Sequence, residues 1–154
     1  MGAVEIVPAS RAHIGRIARR MREIDRLECA AKGRPDPACA LRYSLVSASF
    51  ALVARIDGSP HAMFGVTPFN LCEGVGRPWF LGSDEVYRHP REMITLGRDL
   101  VEIMLDSFPR LENVIAACND RGIRMLRHWG FRLGEEVQVF GGVDFLPFWR
   151  DARV

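Results

Sequence analysis

The segment Asn119–Phe131, NDRGIRMLRHWGF, decides how the rest of the chain is read. Asn is a good helix cap, because its side-chain oxygen can take a backbone N–H orphaned in the first turn. Ile123, Leu126 and Trp129 then recur at helical spacing, which gives a short helix one apolar face. Gly130 suits the position just past the last turn, where a left-handed backbone is favoured. The six residues before Asn119, NVIAAC, form a nearly continuous apolar run, as a strand buried on both faces should. The unit is a buried strand, a polar cap, a short helix and a Gly-Phe stop.

Working outward from it, the same alternation of strands and helices covers the chain. VEIVPAS gives a short strand with Ser10 as a cap. Ile14, Ile17, Met21 and Ile24 predict one amphipathic helix, with Arg16, Arg19, Arg20 and Arg26 on a solvated face. The Gly and two prolines of AAKGRPDPA break the chain before a second short helix over CALRYSLVSA. FALVARIDGSPHAMFGVTPF reads as two strands around a turn at Asp57-Gly58-Ser59-Pro60. LCEGVGRP is another turn and PWFLGSDEVY another strand. Pro90 opens a helix whose packed face carries Ile94, Gly97, Leu100, Val101, Met104 and Leu105, and Pro109 ends it. EEVQVFGGVDFLPFW supplies one or two final strands.

The bulk numbers narrow the function classes. A chain of 154 residues, 48% hydrophobic and 26% charged, is expected to be a single globular domain over residues 1–154. Its 21 basic and 19 acidic side chains leave a net charge of +2, too balanced to argue for nucleic acid or an anionic membrane. The N-terminal residues lack the apolar core of a signal peptide, no apolar run reaches the length of a membrane span, and Ile6 stands where a myristoylation signal needs Ser or Thr. Cys29, Cys39, Cys72 and Cys118 match no common zinc spacing and are read as free thiols, which points to the cytoplasm. Cys118, on the apolar run, is expected to be buried and unreactive. Trp79, Phe80, Trp129 and Phe131 are expected in the core, His89 in an exposed turn and His128 in a structural place at a helix end.

At the opening segment the chain resembles the GNAT superfamily of N-acetyltransferases. That family's pattern is Asn-x-x-Ala-x-x-x-Tyr-x-x-x-Gly-Phe, and Asn119, Gly122, Gly130 and Phe131 fall in its register. The element order upstream agrees. The resemblance implies an α/β fold with a central mixed sheet of six to seven strands flanked by helices. It also implies that the fourth and fifth strands splay into a V-shaped slot for the pantetheine arm of acetyl-CoA, the co-substrate. Asn119 would lie beside that arm. Backbone N–H of the fourth strand near Val86 would polarise the thioester carbonyl. Glu85, or Asp84, would take the proton of an amine acceptor through water.

Two departures accompany the match. Leu126 occupies the place of the family's Tyr, often the acid that protonates the departing thiolate, and Leu cannot transfer a proton. The glycine-rich pyrophosphate loop is replaced by YRHPREMITLGRDL, whose only Gly, Gly97, lies too far along. A helix N-terminus flanked by Arg88 and Arg91 remains as the expected anion contact. A narrower resemblance runs through GVTPFN, PWFLGSDEV, HPR, PRLENV and the opening segment. It is to GNAT-like proteins of tailed bacteriophages, some described as internal virion proteins and others as acetyltransferases. It implies a phage or prophage source, residence in the host cytoplasm or the virion, and a virion or host partner or a homodimer. Two functions stay open: acetyl transfer to an amine, or a fold that has lost its chemistry and serves as a structural or host-interaction protein.

Overall fold

A computed structural model describes residues 3–152. Strand β1 (Val4–Pro8) leads through a 3-10 turn (Arg11–His13) into helix α1 (Ile14–Arg20), then α2 (Glu23–Ala31) and α3 (Pro37–Ser47). Strands β2 (Phe50–Ile56), β3 (Ser59–Asn70) and β4 (Val75–Gly82) follow, then a 3-10 turn (Asp84–Arg88) and helix α4 (Pro90–Ser107). Strand β5 (Arg110–Ala116), helix α5 (Asp120–His128) and strands β6 (Arg132–Leu133), β7 (Gln138–Phe140) and β8 (Val143–Asp151) complete the order. One sheet runs β1-β2-β3-β4-β5-β8-β6, with β7 also on β8. Eight strands form where six or seven were expected, because the short β6 and β7 both pair with β8.

Several local readings hold in detail. The β2–β3 hairpin turns on two residues, Asp57 at φ 52° and Gly58 at φ 79°, the positive pair that matches strand twist. Ser59 and Pro60, expected in the turn, are already the start of β3. The Pro90 helix buries Met93, Gly97, Val101, Met104 and Leu105.

Three readings are corrected. The helix expected from Ile14 to Ile24 is two, because Met21 and Arg22 adopt extended ψ values of 135° and 146°. That break lets the Arg22 N–H donate to Gly82 C=O at 2.9 Å. The strand expected over residues 78–87 stops at Gly82, so Asp84, Glu85 and Val86 lie in a 3-10 turn. Cys118 lies beyond the end of β5 and is exposed, not buried; Cys39 and Cys72 are exposed too, and all four thiols are free.

The helices cover both faces of the sheet. On one, Ile14, Ile17, Met21 and Leu41 pack on Val53, Met63 and Leu81. On the other, α4 and α5 set Val101, Met104, Leu105 and Leu126 on Val66, Leu111 and Phe148. Phe131, just past α5, meets Phe148 edge to face at 5.2 Å. Each such fully buried side chain contributes about 1.5–3 kcal/mol. No helix among the described residues is long and apolar enough to cross a membrane.

Candidate functional site

The sheet has one fault line, and the sequence explains it. Parallel strands β4 and β5 pair only at Val75–Arg110 and Gly76–Leu111. From there they diverge. Strand alternation turns the N–H and C=O of Gly76, Pro78, Phe80 and Gly82 away from β3 and toward β5. Pro78 has no N–H to give, so the ladder stops at it. Asn113 bridges the start of the gap, its Nδ2 donating to Pro78 C=O at 2.8 Å. Phe80, one step on, presents a backbone N–H and C=O that no strand meets.

Beyond Phe80 the gap is braced by α2. Gly82 N–H donates to Asp25 Oδ2 at 3.0 Å, on the β4 side. Ala116 N–H donates to Glu28 Oε1 at 3.1 Å, on the β5 side. Asp25 and Glu28 lie one helical turn apart and so reach the two walls together. Arg22, itself buried, sits 3.5 Å from Asp25 and 3.4 Å from Asp84, and stacks 4.2 Å from the Tyr87 ring centre. Burial pushes the Asp25 carboxyl up to about 7, against the lowering effects of the Gly82 N–H and Arg22. Burial likewise raises the Tyr87 phenol, which therefore stays protonated.

Asn119 closes the same network. Its Oδ1 accepts the Gly122 N–H at 3.0 Å, capping α5, and its Nδ2 donates to Glu28 Oε1 at 3.0 Å. A Cβ on residue 122 would stand 2.7 Å from the Asn119 amide, which explains a Gly there. Gly97 is a packing residue in mid-helix: a Cβ would collide with the Trp129 indole, whose N–H donates to Met93 C=O at 3.0 Å.

The remaining expected site residues lie in the 3-10 turn after β4 and the first turn of α4, and none of them lines the slot cavity. Asp84 is exposed and held by Arg22. Glu85 pairs with Arg88 at 3.1 Å and lies 3.6 Å from His89, which is half-buried rather than exposed. Val86 is buried against Phe64, Met93 and Met125. Arg91 is exposed in the first turn of α4, and no side chain caps that turn. Neither Asp84 nor Glu85 lines the cavity that fills the gap, whereas Asp25, Glu28, Tyr87, Asn119 and Leu126 do.

That cavity has a volume of about 540 Å³ and passes between the strands. Gly122, Met125, Leu126 and Trp129 wall it on the α5 side. Tyr43, Ser47, Arg77 and Phe140 wall it on the α3 side. A second, smaller cavity of about 80 Å³ under α4 is lined almost wholly by apolar groups, Leu126 and Trp129 among them. Trp79, Phe80 and Trp129, expected in the core, pack partly buried against it and also line both cavities.

A mixed sheet with a parallel β4–β5 pair, flanked by helices, is the architecture shared with solved acetyltransferases. The fold is that of the GNAT family. A GNAT-family acetyltransferase from Streptococcus pneumoniae superposes with a TM-score of 0.62 at 11% identity, over 97% of this chain and 100% of that one. Ribosomal-protein-alanine N-acetyltransferase from Brucella melitensis gives 0.65 at 16%, over 96% and 99%. Spermidine N-acetyltransferase from Vibrio cholerae, solved with CoA and spermine, gives 0.67 at 12%, over 96% and 95%. No family model and no curated protein matches the sequence itself.

The sequence reading missed Arg22, Asp25 and Glu28. A signal was there: Asp25 and Glu28 fall on the same helical face as Met21, where a solvated helix carries apolar residues.

Proposed function

We propose that the chain, as one domain over residues 1–154, transfers an acetyl group from acetyl-CoA to an amine. The single observation behind this is the β4–β5 gap, where Pro78 ends the ladder and Phe80 offers an unpaired N–H and C=O. An extended, amide-bearing arm such as pantetheine can pair there like an added strand. CoA and acetyl-CoA are also what GNAT-fold structures have been solved with, as for an aminoglycoside acetyltransferase. The fit is good at Phe80 and poor beyond it. Asp25 and Glu28 already hold the Gly82 and Ala116 amides, and the α4 N-terminus with Arg88 and Arg91 must serve the pyrophosphate without a glycine cradle.

In this reading the amine nitrogen attacks the thioester carbon, a C–N bond forms, the C–S bond breaks, and CoA leaves as the thiolate. Phe80 N–H, rather than Val86 N–H, stands where it can polarise the carbonyl. Asp25 takes the ammonium proton, with Asp84 and Glu85 as the rim groups through which water carries it out. Leu126 gives the thiolate no proton, so Tyr87 or water supplies it. The test is a thermal melt with acetyl-CoA, which at about 100 times its dissociation constant should stabilise the fold by about 2.7 kcal/mol. Absence of any shift, at low or high salt, overturns the reading.

A second reading has its own observation. The α2 carboxylates already occupy the strand amides beyond Phe80, and the phosphate loop has no glycines. Both fit a fold kept for a structural or host-interaction role. A phage or prophage source, a place in host cytoplasm or virion, and a homodimer or virion partner belong to either reading and rest on the phage-like segments named above.

A further inference from the structure

The wide cavity contains an unusual set of cations. Lys32, Arg34 and Arg77 all line it on the α3 side. Every ion pair among the described residues uses other cations. None of these three donates a side-chain hydrogen bond either, whereas Arg20, Arg22, Arg26 and Arg55 all do. Each lies instead over an aromatic ring: Arg34 at 3.6 Å from Tyr43, Arg77 at 4.0 Å from Phe69, Lys32 at 5.3 Å from Phe145. Stacking fixes a cation in place while leaving its N–H groups free. The acids of the same cavity, Asp25 and Glu28, sit deeper, against the β4 and β5 amides. The cavity is therefore negative at its inner end and positive at its mouth.

We infer that the mouth of this cavity is an anion subsite, and that the acceptor is an amine carrying a carboxylate or phosphate at its far end. The inference rests on reading the cavity as the acceptor side of acetyl transfer. The inner carboxylates draw the ammonium toward the slot, and the three cations hold the tail through charge-assisted hydrogen bonds. A polycation such as spermine is excluded by like charge at the mouth.

The test is calorimetric titration, at low salt and without acetyl-CoA, of ε-aminocaproate, O-phosphoethanolamine, hexylamine and spermine. Wild type is compared with Arg77→Gln and Lys32→Gln, whose folding is checked by thermal melts. One of the anionic amines should bind about tenfold more tightly than hexylamine. Which of the two leads tells carboxylate from phosphate. The preference should collapse in both variants at unchanged melting temperature, and spermine should bind most weakly. Equal binding of hexylamine, tighter binding of spermine, survival of the preference in both variants, or no binding of any probe overturns the subsite. A preserved preference in a protein that acetyl-CoA does not stabilise supports the subsite and overturns acetyl transfer, so the two failures are distinguishable.

Discussion

Helices α4 and α5 start in similar places, each just after one of the two splayed parallel strands, yet they start differently. At α5, Asn119 caps the first turn, Gly122 makes room for its amide, and Glu28 from α2 ties the cap to β5. At α4, His89 stands in the cap position and makes no side-chain bond to the turn. One helix end is consumed by the protein's own side chains, and the other keeps its orphan N–H groups and its positive dipole end open. The difference makes the α5 end a brace and, under the proposed acetyl transfer, leaves the α4 end for the pyrophosphate.

Breaking the braced end should have the largest effect. Asn119→Ala removes a cap, about 1 kcal/mol, and leaves Glu28 short of a donor in a crowded site, about 1–3 kcal/mol more. We expect a loss of about 2–4 kcal/mol in urea unfolding. A loss of only about 1 kcal/mol would reduce Asn119 to an ordinary cap and dissolve the contrast with His89.

The second effect is pH-dependent and concerns the brace on β4. Asp25 has a folded pKa of about 7 against an ordinary 3.8, so the folded state holds a proton that the unfolded state has released. Between about pH 4 and 7 this group therefore costs stability as pH rises. Asp25→Asn, neutral throughout, should flatten that slope and be more stable than wild type above about pH 7, by on the order of 2 kcal/mol. Parallel slopes for the two proteins would show that Asp25 ionises freely.

The smallest effect is a gain at the open end. The backbone of His89, at φ −121° and ψ 57°, lies near that of Asn119, at −86° and 73°. His89→Asn should therefore copy the α5 cap onto α4 and stabilise by about 0.5–1 kcal/mol. The same change should weaken acetyl-CoA binding if the α4 N–H groups hold phosphate, which titration would show.

What could be read in advance was what is local. Asp57-Gly58 announces its hairpin, Pro90 its helix, and Asn119, Gly122 and Gly130 their caps, because each constrains only its own few residues. The break between α1 and α2 carries no Gly or Pro and could not be read; it follows from the demand of Gly82 C=O for the Arg22 N–H. The end of β4 was overrun for a related reason, since Ser83 turns the chain by capping Glu85 N–H with its hydroxyl, a weak signal in a strand-like run. The acids of the slot showed only as charges on the Met21 face of the helix, and what they hold was illegible because their partners lie 57 and 88 residues away.

The position of β8 has a consequence in time. It lies between β5 and the short β6 and β7, and its pairing with β5 covers all seven residues of that strand. Until β8 has left the ribosome, β5 is paired as a strand only at its two-residue junction with β4. Strands β1 to β4 form an antiparallel meander that can assemble as soon as it is made, at about 5–20 residues per second. The other half must wait. The slot is thus the seam between an early-folding block and a late-folding one, and Glu28, waiting on the early block, is a latch that engages Ala116 when the second block arrives.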